Sequence, residues 1–189
     1  MIENNLETYF KVATWSSPIV VIFLLILSAF FSGSETALTA SSRPKLRSMS
    51  DRGSVGAKKA LDITNDNESL IGTILLGNNI VNILATSLAT AYFVKLFGDK
   101  GIFLATFCMT VLILVFFELL PKKYAINNPE SAARRVATLV LFFIYIFSPI
   151  IIFVRKFVQL LLSLIGLKID PSKQILASDE IAGAIALHH

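Results

Sequence analysis

Histidine is missing from every apolar stretch of this 189-residue chain; its only two are the last residues, His188 and His189. Cysteine is almost as scarce, and the single Cys108 sits inside a hydrophobic run. One cysteine builds no disulfide framework and no thiolate metal site, and the scarcity of thiolates and imidazoles disfavours zinc or copper. Charged residues make up only 16% of the chain. The net charge of +4 needs no nucleic-acid partner, because the lysines and arginines cluster beside the apolar runs and not along one soluble face.

Apolar residues fill 54% of the sequence, and several runs reach the roughly 20 residues needed to cross hydrocarbon. The chain therefore reads as an all-α integral membrane protein. A first membrane helix is predicted over about 18–41, around "IVVIFLLILSAFF". A basic hairpin follows, predicted to hold two short cytoplasmic helices within 43–63, with Ser42 and Ser54 as N-cap candidates. The second span is predicted over 70–97 and the third over 102–125, joined by the turn "GDKG". The acidic Glu3 and Glu7 before the first run argue against a cleaved signal peptide, which needs a basic leader.

Lys and Arg are dense at 43–59 and 122–135, and sparse before Lys11 and in the 95–100 turn. The positive-inside rule then sets the N-terminus outside and both basic segments in the cytoplasm, which three spans satisfy. The apolar stretch 136–167 admits two readings. A fourth span would send Arg155, Lys156 and the polar tail outside. The Ser148-Pro149 break instead allows two half-length helices over 134–167, re-entrant or lying along the inner interface, and charge placement favours that belt. Residues 1–167 thus form one expected membrane domain. Residues 168–189 read as a linker and the start of an amphipathic cytoplasmic helix, "SDEIAGAIALHH".

Polar residues interrupt all three spans. They are Ser32-Gly33-Ser34-Glu35, then Gly77-Asn78-Asn79 with Asn82, then Glu118 ahead of Pro121. A carboxylate at the centre of a membrane helix costs roughly 2.5–3.5 kcal/mol, so such groups face partners or water. Asn78 and Asn82, four apart, share a helix face, while Asn79 is turned about 100° away. Gly33 can leave helical geometry cheaply and expose carbonyls. Pro121 lacks an N–H, so the carbonyl of Phe117 loses its α-helical donor beside Glu118. Hydroxyls, amide oxygens, carbonyls and one carboxylate suit a hard cation such as Mg²⁺, Na⁺ or Ca²⁺. The bland readings are interhelical hydrogen bonding for the Asn and Ser residues, and helix packing for Gly33 and Gly77. Lys122 or Lys123 is the expected partner of Glu118; Glu35 is either hydrated or paired with Arg43. With no histidine in any span to act as base, serine-based catalysis has no support, and the chain is not expected to be an enzyme.

"FFSGSETAL", "LLGNNIVNILATSLAT" and "ELLPKKYA", in that order, then "NPE" and "SDEIAGAIALH", resemble the transmembrane domain of the CorC/cyclin-M (CNNM) family. The resemblance covers the chain from about Pro18 onward. It implies three spans, a cytoplasmic short-helix pair, a juxtamembrane belt, a homodimer in the plasma membrane, and Mg²⁺ efflux with Na⁺ as driving ion. It also implies cytosolic CBS domains after His189. Carried over, the Mg²⁺ site falls on Ser32, Ser34, Asn78 with Asn82, and Glu118, supported by Gly33, Gly77, Phe117 and Pro121. Phe117 departs from the glycine many members have there. The rival to transport is a membrane anchor and ion sensor that dimerises and regulates cytosolic domains without moving the ion.

Overall fold

The structure, a computed structural model, describes residues 2–165, with side chains from Pro18 onward. The linker and amphipathic helix expected over 168–189 lie outside the described residues. The elements are α1 (Ile2–Ala40), α2 (Arg43–Asp51), α3 (Val55–Asn65), α4 (Asn67–Phe97), α5 (Lys100–Leu112), a π-helical segment (Ile113–Leu119), α6 (Leu120–Asn127) and α7 (Pro129–Leu164). Among the described residues there is no strand. The chain divides into two compact units, residues 1–148 and 149–189, and the site described below lies in the first.

Local signals explain most boundaries. Ser54 caps α3 by accepting a hydrogen bond from the Ala57 amide at 3.3 Å. Ser42 precedes α2 without such a bond, and Pro44 pre-sets the first turn instead. Asp66 caps α4 through the Ser69 amide at 3.1 Å. Gly98, at φ 62°, ends α4 in a conformation that side chains resist, so the chain turns at once into α5.

Four helical stretches are long and apolar enough to cross a membrane: Pro18–Ala40, Asn67–Phe97, Lys100–Asn127 and Pro129–Leu164. The last corrects the expected belt of two half-length helices. Pro149 lies inside α7, which runs as one helix of 36 residues. Proline's fixed φ is helical, and in a membrane helix the freed carbonyl one turn back is tolerated, so Ser148-Pro149 does not divide the element. Helix length and composition therefore admit four crossings where charge placement favoured three.

α1 packs most extensively against α4, and also against the π segment and α6. Two apolar clusters result. One gathers Val21 and Leu25 of α1 with Ala85, Ala89 and Met109. The other, larger, joins Phe31 and Leu38 to Leu46, Leu70, Ile74 and Val140. Large apolar side chains such as Phe23, Phe103, Phe107 and Phe116 are exposed, as expected of a surface facing lipid.

Two close approaches hold these helices together. The ring of Phe31 lies directly over Gly77, where any Cβ would collide with it. The same ring is wedged edge-on against Phe143, 4.8 Å between centroids, and against Phe30 at 5.5 Å, so it has nowhere to retreat. Gly33 faces Pro121 more loosely; a Cβ there would sit 3.4 Å from the proline Cβ. Gly77→Ala is therefore expected to destabilise the fold by about 1–3 kcal/mol through overpacking. Gly33→Ala should leave the melting temperature of the purified, detergent-solubilised protein close to wild type.

Candidate functional site

Ser28, Ser32 and Glu35 fall at i, i+4 and i+7 on α1, and so form one stripe along it. Each meets an oxygen or nitrogen from another helix. The Ser28 hydroxyl donates to Oδ1 of Asn78 on α4 at 3.0 Å. Asn82, one turn along α4, places its Nδ2 3.4 Å from the same oxygen. The Ser32 hydroxyl donates to the backbone carbonyl of Glu118 at 3.1 Å. Glu35 is paired with Lys122, Oε2 to Nζ 3.4 Å. The polar stripe forms a band that interrupts the apolar packing of α1 against its neighbours.

Burial makes these contacts consequential. Ser28 and Ser32 are each 1% exposed. A hydroxyl so enclosed costs about 1–3 kcal/mol if it has no partner, so the interhelical bonds fix which faces meet. One acceptor in the band has none: Oδ1 of Asn82 is buried without a hydrogen-bond donor. Such an atom is a natural place for a cation or a water.

The Glu118 carbonyl reaches Ser32 because the chain is wound as a π-helix there. The Leu120 amide bonds to the carbonyl of Val115, five residues back. This wide turn rotates the backbone relative to an α-helix, a device frequent at functional sites. It also moves the carbonyl that Pro121 cannot serve, from Phe117 in an α register to Phe116 in the i→i−5 register. The Glu118 side chain is 37% exposed, and its Oε1 lies 3.6 Å from Nζ of Lys122. Lys122 is thus the lysine that answers Glu118, and it answers Glu35 as well. The alternative partner for Glu35 does not hold: Arg43 instead donates to the carbonyl of Thr64 at 2.7 Å.

The sequence-selected residues sort as follows. Ser32, Asn78, Asn82 and the backbone carbonyl of Glu118 lie on the band formed by α1, α4 and the π segment, with the Glu118 carboxylate turned to Lys122. Ser34 stands apart. Two residues from Ser32, it is rotated about 200° around α1. It lines a hollow of about 190 Å³ with Ala29, Phe30, Pro121 and Tyr124, fully buried and without a hydrogen-bond partner. Gly77 admits Phe31, Gly33 admits Pro121, and Phe117 packs against the cluster of Val21, Leu25 and Met109. Ser28 was missed by sequence reasoning, although its spacing from Ser32 was a usable signal. Among the described residues no three His, Cys, Asp or Glu side chains gather as a metal site. Any cation held in the band would rest on hydroxyl, amide and carbonyl oxygens with a carboxylate at its edge.

Residues 19–189 match the family described as the cyclin M transmembrane N-terminal domain. The chain belongs to that family. It is 36% identical to a UPF0053 protein of Haemophilus influenzae over 89% of its own length and 40% of the relative's. It is equally identical to a UPF0053 inner membrane protein of Escherichia coli, over 76% of its length and 34% of the relative's. It is also 27% identical to a polyamine export protein of Escherichia coli, over 90% of its length and 42% of the relative's. The chain thus spans less than half of these cyclin M relatives. Its apolar helices and its family make it a multi-pass membrane protein.

Ser28→Ala and Asn78→Ala should each destabilise the cyclin M domain, and a double-mutant cycle should yield a coupling of about 0.6 kcal/mol, the average between membrane helices. Chemical unfolding of the four proteins in detergent measures it.

Proposed function

We propose that this domain moves Mg²⁺ across the membrane, with Na⁺ as the coupling ion, and that the polar band binds the cargo. The observation that carries the reading is the meeting of Ser28, Ser32, Asn78, Asn82 and the Glu118 backbone within a bundle filled mainly by apolar side chains. Mg²⁺ takes hard oxygen ligands at about 2.0–2.1 Å and gives up water reluctantly. The donor-free amide oxygen of Asn82 and the hydroxyls supply oxygen without charge. Glu118, at the edge of the band, supplies the compensating negative charge. Binding sites between facing membrane helices are the usual transporter arrangement.

The proposal carries the topology with it. The N-terminus lies outside the plasma membrane, and α2, α3 and the start of α7 lie in the cytoplasm with their Lys and Arg residues. The protein acts as a homodimer with three crossings, α7 lying along the inner interface as one continuous helix, so that its C-terminus leads in the cytoplasm to CBS domains. Export of Mg²⁺ would draw on Na⁺ entering from outside.

A second cargo has a specific observation in its favour. The carboxylates of Glu35 and Glu118 together hold a primary ammonium, that of Lys122. Organic polyamines carry the same group, and some relatives bear the name polyamine export protein.

Glu118→Ala should weaken Mg²⁺ binding at least about tenfold in calorimetry, as expected when a partly solvated carboxylate facing the ion is lost. Reconstituted wild-type protein should move Mg²⁺ across vesicles in response to a Na⁺ gradient. Spermidine flux in place of Mg²⁺ flux would transfer the reading to amines. Binding without flux of either would leave an anchor and sensor.

A further inference from the structure

We infer that Lys122 is a tethered counter-cation that incoming cargo must displace, and that it sets the site's preference for divalent ions. The inference rests on the reading of the band as a cation site and adds a residue and a mechanism to it.

Lys122 Nζ lies between two carboxylates from different helices, 3.4 Å from Glu35 and 3.6 Å from Glu118. All three side chains are between one third and one half exposed, so the ammonium is at the mouth of the band and not sealed within it. The trio carries one net negative charge. Pro121, immediately before Lys122, packs beside Gly33, which fixes where the lysine leaves the backbone relative to α1. Two facts separate this from an ordinary surface ion pair. The Glu118 residue that the ammonium neutralises also contributes its carbonyl to buried Ser32, so it is part of the band. Glu35, moreover, offers the ammonium a second place to rest when Glu118 is claimed by another cation.

Selectivity follows from charge. A monovalent ion arriving at Glu118 replaces one positive charge by another and gains little. A divalent ion doubles the Coulomb attraction at similar distance, and so can drive the ammonium over to Glu35. The lysine therefore raises the threshold for all cations, but proportionately more for monovalent ones. Lys123, next in sequence, is exposed and has no equivalent position between the acids.

The test is Mg²⁺ calorimetry on the purified wild-type chain, Lys122→Met, Glu35→Gln and the double variant, with Glu118→Ala as reference. Lys122→Met should bind Mg²⁺ about tenfold more tightly, the discounted effect of removing a half-solvated charge a few ångströms from a ligand. It should also let Na⁺ compete at concentrations that leave wild type unaffected. Glu35→Gln should weaken Mg²⁺ binding severalfold in the wild-type background, because the ammonium then rests on Glu118 alone. The same change should have no effect beside Lys122→Met. Additive effects of the two changes would reduce Lys122 to a distant charge and overturn the inference. So would unchanged or weaker binding by Lys122→Met while Glu118→Ala still abolishes it; the band would survive as a site. Absence of Mg²⁺ binding in every protein would overturn both the band and its counter-cation. Lys122→Gln serves as the second variant should Lys122→Met fold poorly.

Discussion

A hydroxyl enclosed in hydrocarbon has to find a partner, and the packing of this bundle is organised by that requirement. Ser32 donates to a carbonyl that an α-helix would have pointed elsewhere. The π-wound turn of Ile113–Leu119 makes the contact geometrically available. Ser28 and Asn78 do the same a turn away, without irregular backbone. These two bonds select the faces by which α1, α4 and the third apolar helix meet. The apolar clusters fill in around that choice, since dispersion alone discriminates weakly between one lipid-like face and another.

Much of this could be read from residue types. A carboxylate, an amide pair and serines in separate apolar runs are costly alone, so a meeting of these helices by their polar groups was foreseeable. Ser32, Asn78 and Asn82 lie on the band, while Glu118 reaches it by its backbone carbonyl and turns its carboxylate to Lys122. Which lysine serves Glu118 was narrowed to two by spacing, and the i+4 residue proved to be the one. Cap chemistry located α3 and the turn at Gly98 equally well.

The remainder depended on details that residue types do not encode. Ser34 sits so near Ser32 in sequence that a shared role was natural, yet a helix carries it to the far side unless Gly33 breaks the turn. Gly33 stays helical, and its lack of a side chain serves the approach of Pro121 instead. The π segment has no compositional mark; Pro121 removes an amide, but it does not say whether the chain widens or kinks. Pro149 was misleading for a related reason. As a helix breaker it suggested a division, whereas its ring is compatible with helical φ and α7 continues through it. Glu35 had two readings, hydration or pairing with Arg43, but Arg43 donates to the end of α3 and Glu35 pairs with Lys122.

The aromatic ring resting in the notch of Gly77 has a mechanical consequence. It acts as a detent between α1 and α4: a piston-like slide of either helix would drive the ring into the side chains flanking the notch. Those two helices consequently behave as a stator. The wide turn of Ile113–Leu119, where the backbone departs from α-helical winding, is then the place where the third apolar helix can flex against them.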